Sequence, residues 1–195
     1  MLWRKAIPAK QRIKEIEHGL KREFIETIRD PYETQEILEN LIKSAIEEIM
    51  RTLPSKTTNM RPYQHEQKYL LQLLRDAADR GLKLRLLVDK SENEKIAMEL
   101  AVTGSNTDRV EIQNFDMQQQ NKVITTIVGN ELCLTVEVKA NDESEVLGLA
   151  TYSNSEPTVL SYASIFETLW LQAELRDRQK NQAHSFNGQI INPGP

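Results

Sequence analysis

The chain has 195 residues, 39% hydrophobic and 28% charged, which is enough for one compact domain with helical extensions. Its formal net charge of −4 argues against a general nucleic-acid binder, which needs a basic face, and its single cysteine, Cys133, excludes an internal disulfide framework and a cysteine-rich metal site. No apolar run approaches the ~20 residues that span a bilayer, and Arg4 and Lys5 directly after Met1-Leu2-Trp3 leave no secretory signal visible, so a cytoplasmic protein without membrane insertion is expected.

Pro8 suits the first turn of a helix. From there Ile13, Ile16, Leu20, Phe24 and Ile28 recur every three or four residues, predicting one charged helix with a single apolar stripe over residues 1–29. Asp30-Pro31-Tyr32-Glu33 predicts the start of a second helix, with Asp30 as cap and Glu33 completing a capping box. Ile37, Leu38, Leu41, Ile42 and Ala45 form its apolar face. Glu47 to Leu53 fits helix or strand; strand is favoured because Pro54 stops the run. A polar loop from Pro54 to Gln64 follows. The next helix carries Tyr69, Leu70, Leu73, Leu74 and Ala77, and Gly81 is its expected C′ residue.

Leu82 to Val88 reads as a largely buried strand of an α/β sheet. Ser91 and Glu94 open a short helix to about Leu100, and Val110 to Phe115 is a strand. Val123 to Val128 and Leu132 to Val138 flank Gly129-Asn130, a hairpin signal. Val146 to Tyr152 is the last strand. A long helix spans 157–182, with Val159, Tyr162, Ala163, Phe166, Leu169, Trp170 and Ala173 on one face, and 183–195 reads as a disordered tail. The fold class is therefore α/β: a mixed sheet with flanking helices, residues 30–156, between long terminal helices. The stripe Ile13, Ile16, Leu20 and the face Phe166, Leu169, Trp170, Ala173 are expected to join two copies of the chain and to carry a signal. Leu2-Trp3-Arg4-Lys5-Ala6 and Leu169-Trp170-Leu171-Gln172-Ala173 repeat one pattern at both ends, as in a module cut from a tandem array.

Chemistry-bearing motifs are sparse. The seven glycines are scattered, with no phosphate loop. His18, His65 and His184 lie far apart, so no metal site and no cofactor are expected. Cys133 reads as a structural thiol without a neighbouring base. One arrangement stands out. Ligands in α/β sheets bind beyond the carboxyl ends of parallel strands. Lys56, Asn59, Arg61 and His65 follow the first such strand, Lys122 begins the hairpin, and Ser153 and Asn154 follow the last strand. Together they are expected to form a pocket for a small polar or anionic ligand, although loops are polar in any case.

Gly148-Leu149-Ala150-Thr151-Tyr152-Ser153-Asn154-Ser155, followed by Thr158 to Trp170, resembles the exit segment of a sensor domain in thaumarchaeal-type archaeal histidine kinases. Trp3 to Glu17, Asp30-Pro31-Tyr32-Glu33 and Leu82 to Val88 are similar to the layout of the same domain. That domain resembles, in turn, one half of a phospholipase D fold. The phospholipase pattern is His-x-Lys followed by Asp. Gln120-Asn121-Lys122 keeps the lysine and lacks the histidine, and Ile127 stands where the acid belongs. The resemblance implies a sensing fold without hydrolytic chemistry, a histidine-kinase core or response protein as partner, and signalling through the terminal helices. No phosphoacceptor or ATP-lid segment is present; the chain ends where a kinase core would begin, so it reads either as a fragment of a longer kinase or as a freestanding sensor, with the tail from Ala183 to Pro195 leaning slightly towards the second. Two alternatives remain: an effector-binding domain of an archaeal transcription regulator, and a degenerate phosphodiesterase using Lys122 and His65.

Overall fold

The computed structural model describes residues 23–53, 64–89, 96–97, 100, 107–115, 123–140 and 145–187, with the backbone alone at 64–68, 107, 139–140, 145–147 and 180–187. Asp30 caps helix α1 (Pro31–Ser44) as its place before Pro31 predicts: its side chain accepts from the Tyr32 amide at 2.9 Å. Strand β2 (Glu48–Leu53) follows, then helix α2 (Gln64–Asp79) and strand β3 (Lys83–Asp89). Gly81, at φ +93°, ends α2 with paired bonds, Gly81 N to Ala78 O at 2.8 Å and Leu82 N to Ala77 O at 3.2 Å. That left-handed position suits glycine, which has no Cβ to clash.

Strands β4 (Val110–Phe115), β5 (Val123–Val128), β6 (Leu132–Ala140) and β7 (Glu145–Ser153) complete the sheet, and helix α3 (Glu156–Asn187) ends the described chain. Gly129 and Asn130 both take positive φ, +55° and +54°, which makes the β5–β6 turn a tight primed hairpin.

One element departs from the expected order. Residues Ile25–Ile28 form strand β1, paired antiparallel to β7, and not the end of a helix. Phe24 and Ile28 are four apart, a spacing that serves one helix face and one strand face alike. The long-range pairing decides: Phe24 lies edge-on to Tyr152, ring centroids 4.9 Å apart, and Ile28 is buried. Residues 1–22, with Ile13, Ile16 and Leu20, lie outside the described residues. At the other end α3 runs on to Asn187, past the boundary at 182 expected from composition.

The strand order is β1-β7-β6-β5-β2-β3-β4. β2, β3 and β4 are parallel; every other neighbouring pair is antiparallel. The mixed sheet with flanking helices is thus the expected fold class. Alternate residues of each strand serve two cores. Ile49, Leu84, Leu86, Leu134 and Tyr152 pack with α1 and α2 residues such as Ile37, Ile42 and Leu74. Met50, Leu87, Ile127 and Cys133 pack on the opposite face with Val159, Ala163, Phe166, Trp170 and Ala173 of α3.

Candidate functional site

The carboxyl edge of the parallel strands is where a ligand is expected, and connectivity defines it here. β2 ends there at Leu53, and β5, antiparallel to β2, begins there at Val123. Thr52 Oγ1 ties the two: it accepts from the Thr125 amide at 2.8 Å and lies 3.5 Å from the Val123 carbonyl. The helix that returns the chain from β2 to the parallel β3 must start on this edge, so the N-terminus of α2 lies there as well. Lys56, Asn59, Arg61 and Lys122, on the segments that leave Leu53 and reach Val123, lie outside the described residues. His65 is in the first turn of α2, with its side chain outside them.

Ser153 and Asn154 belong elsewhere. β7 is antiparallel to β6 and hence to β2, so Ser153 ends at the edge where β2 begins. Both residues bind the chain ahead of β1: Asn154 Oδ1 accepts from the Phe24 amide at 2.7 Å, and Ser153 Oγ donates to the Phe24 carbonyl at 3.0 Å. The structure brings these two together with each other and with Phe24, on the opposite edge from Leu53 and Val123.

The apolar face of α3 has a use within the chain. Phe166, Trp170 and Ala173 are buried against the sheet, with Leu169 partly so. Phe166 and Trp170 stack, centroids 5.8 Å apart, and the Arg85 guanidinium sits 5.4 Å from each ring. Arg85 reaches from β3. Its Nε donates to Glu48 Oε1 at 2.8 Å, and its two terminal nitrogens hold the Glu167 carboxylate of α3, Nη1 to Oε2 at 2.9 Å and Nη2 to Oε1. Nη2 also meets Met50 Sδ at 3.0 Å. The hydrogen bonds that Arg85 donates to Glu167, and then the one to Glu48, hold the guanidinium charged against the cost of burial, and Arg85 in turn draws the Glu167 carboxyl below its usual range. The sequence showed the apolar stripe; the arginine that pins it stood unremarked inside an apolar strand.

A second arginine behaves otherwise. Arg51 lies on β2, on the face covered by α1 and α2, and is 4% exposed. Its Nη1 donates to Thr126 Oγ1 on β5. Its Nε has no hydrogen-bond partner, and no carboxylate among the described residues pairs with it. Burial alone pushes its pKa down to about 10. The available signal was a lone charge in Ile49-Met50-Arg51-Thr52-Leu53, a strand buried on both faces.

Ile127 is fully buried in the core beneath α3. Cys133 is buried beside it, and desolvation pushes its thiol up to about 11, the behaviour of a structural cysteine. Among the described residues no group of three His, Cys, Asp or Glu gathers to hold a metal ion, and no helix is long and apolar enough to cross a membrane.

No protein-family profile matches the chain, and no curated protein does. Solved structures do. The chain is similar to TrmBL2, described as an archaeal chromatin protein with a novel mode of DNA binding, with TM-score 0.55 and 15% identity over 85% of this chain; it spans 60% of that protein's length. It is similar to Nuc, a phospholipase D family member from Salmonella typhimurium, with TM-score 0.56 and 14% identity over 77% of this chain and 96% of that one. It is also similar to NucT from Helicobacter pylori, with TM-score 0.57 and 13% identity over 78% and 98%. One expectation is corrected here. The exclusion of nucleic acid, drawn from net charge, does not stand, because a protein of this fold is described with a mode of DNA binding; whole-chain charge averages over faces and does not speak for any one of them. At these identities the likeness defines the fold, and the fold is phospholipase D-like.

Proposed function

We propose that this chain is a regulatory module on a phospholipase D-like fold, one that binds and relays and does not hydrolyse, in a signalling system of the histidine-kinase type. The observation that carries this is Ile127. This aliphatic side chain is fully buried under α3, and it stands where the phospholipase resemblance sets the acid, as Gln120 stands where that resemblance sets the histidine. Without that histidine no phospho-enzyme forms. The input site is the carboxyl edge of β2, supplied by Lys56, Asn59, Arg61, His65 and Lys122. The output is α3, clamped to the sheet by Arg85 and Trp170 and continuing well past Ala173, the last buried residue among those whose side chains are described. A ligand shifts α3 only by the difference in its affinity for the two helix positions.

The test has two arms. Purified protein is given a chromogenic phosphodiester and labelled ATP; turnover that one substitution abolishes would overturn the proposal. A thermal-shift screen of polar and anionic metabolites is then run on wild type and on Arg61→Ala/Lys122→Ala. A stabilising compound whose effect the double substitution removes supports the site.

A second reading is favoured by the likeness to TrmBL2: a regulator's effector or DNA-contacting domain. Fluorescence anisotropy with duplex DNA, at low and physiological salt, separates the two. Binding that weakens steeply with salt supports a phosphate-backbone contact, and none at low salt removes it.

A further inference from the structure

We infer that Arg51 is the anchor of an oxyanion site inside the helix-covered face of the sheet, a residue that binds a small carboxylate or phosphate group. The inference deepens the proposed input site and rests on that location, but on a different residue and a different observation. Arg51 stands two residues before the end of β2 and is 4% exposed. Its strand neighbours on that face are Ile49 and Leu53, and its cross-strand partners are Leu86 and Thr126. One hydroxyl, Thr126 Oγ1, accepts from Arg51 Nη1, and the Nε–H finds no acceptor.

Guanidinium groups resist deprotonation, so a buried arginine keeps its charge and requires an anion. Elsewhere in this fold that requirement is met: Arg85, one strand away on the other face, holds two carboxylates. Arg51 has none among the described residues, and burial of an uncompensated charge strongly destabilises a fold. A site kept at such a cost is characteristic of function. The planar fork of an arginine matches the paired oxygens of a carboxylate or phosphate. The Thr126 hydroxyl, which accepts from Arg51, has its own proton to donate to the same anion. The N-terminus of α2 lies at this edge and adds favourable potential for negative charge. Burial limits the occupant to a small anion or the anionic end of a small molecule.

The experiment uses the full chain and differential scanning fluorimetry at matched ionic strength, with sodium chloride as reference and inorganic phosphate or malonate as probes. The phosphate and carboxylate arms separate the two sources of the oxyanion. In wild type one probe raises the Tm by a few degrees beyond chloride. Arg51→Met, which keeps length and removes the charge, abolishes that rise and leaves the probe-free protein at least as stable as wild type. A probe effect that survives Arg51→Met overturns the inference, as does wild type indifferent to both probes. If Arg51→Met does not fold, calorimetric titration of Thr126→Val decides: weakened binding supports the site, unchanged affinity removes it. Loss of the probe effect in Arg61→Ala/Lys122→Ala but not in Arg51→Met keeps the proposed input site and discards Arg51. The converse keeps Arg51 and discards the outer residues.

Discussion

Two arginines on neighbouring strands mark the contrast on which the fold turns. Arg85 holds two carboxylates, whereas Arg51 has a hydroxyl and no carboxylate among the described residues. Single-residue changes elsewhere follow the same rule of compensation. Ile127→Asp sets a carboxylate among Met50, Cys133 and Phe166. It is expected to cost at least about 4 kcal/mol in urea denaturation and to yield no hydrolysis. Alkaline pH acts on two buried acids. The Cys133 thiol is pushed from 9.0 up to about 11 and the Tyr152 phenol from 10.0 up to about 12, both chiefly by desolvation. The unfolded chain therefore loses these protons first. The contribution of these two groups is full below pH 9.0 and falls as pH rises through that window towards about 12. Cys133→Val removes the lower part of the decline, and denaturant midpoints measured between neutral and alkaline pH check it.

At the scale of the element, α3 depends on two kinds of contact. Trp170 supplies buried area, and Trp170→Ala is expected to cost about 3–5 kcal/mol in a chemical denaturation curve. Glu167 supplies charge, but its side chain is half exposed, so solvent screens the pair and Glu167→Gln is expected to cost about 1 kcal/mol. Because Arg85 holds the Glu167 carboxyl low, its contribution is present above the ordinary carboxylate range and fades as pH falls through the depressed value. Glu167→Gln removes that part of the acid sensitivity, and leaves Arg85 with Glu48. What was legible in the sequence was local. Asp30, Gly81 and Gly129-Asn130 act within a turn of themselves, and each ends or opens the element it was expected to. The apolar stripe of α3 was legible too, but a stripe does not name what covers it; here the sheet does. β1 was lost because the partner that makes it a strand sits at residues 150–153. Arg51 and Arg85 were visible as charges in apolar strands, yet only three-dimensional pairing distinguishes them.

For the whole molecule, β1 moves the start of the folded unit. Compositional reading puts the boundary at residue 30, but the Phe24 backbone is tied to Ser153 and Asn154, and Phe24 and Ile28 pack into the first core. Deleting residues 1–22 is expected to leave a cooperative domain. Deleting 1–29 uncovers the β7 edge beside Tyr152 and is expected to give light scattering and loss of near-ultraviolet circular dichroism, because an unpaired strand edge is a template for association. The same pairing has a consequence for synthesis on the ribosome. β1 is made well before the strand it pairs with, and that partner, β7, is the last strand of the described sheet. At about 5–20 residues per second the interval between them is roughly 6–26 s, far longer than a hairpin takes to close. Through that time Phe24 and Ile28 remain solvent-facing on a nascent chain, a length of apolar sequence open to chaperones, and the sheet closes on them only after Ser153 has emerged.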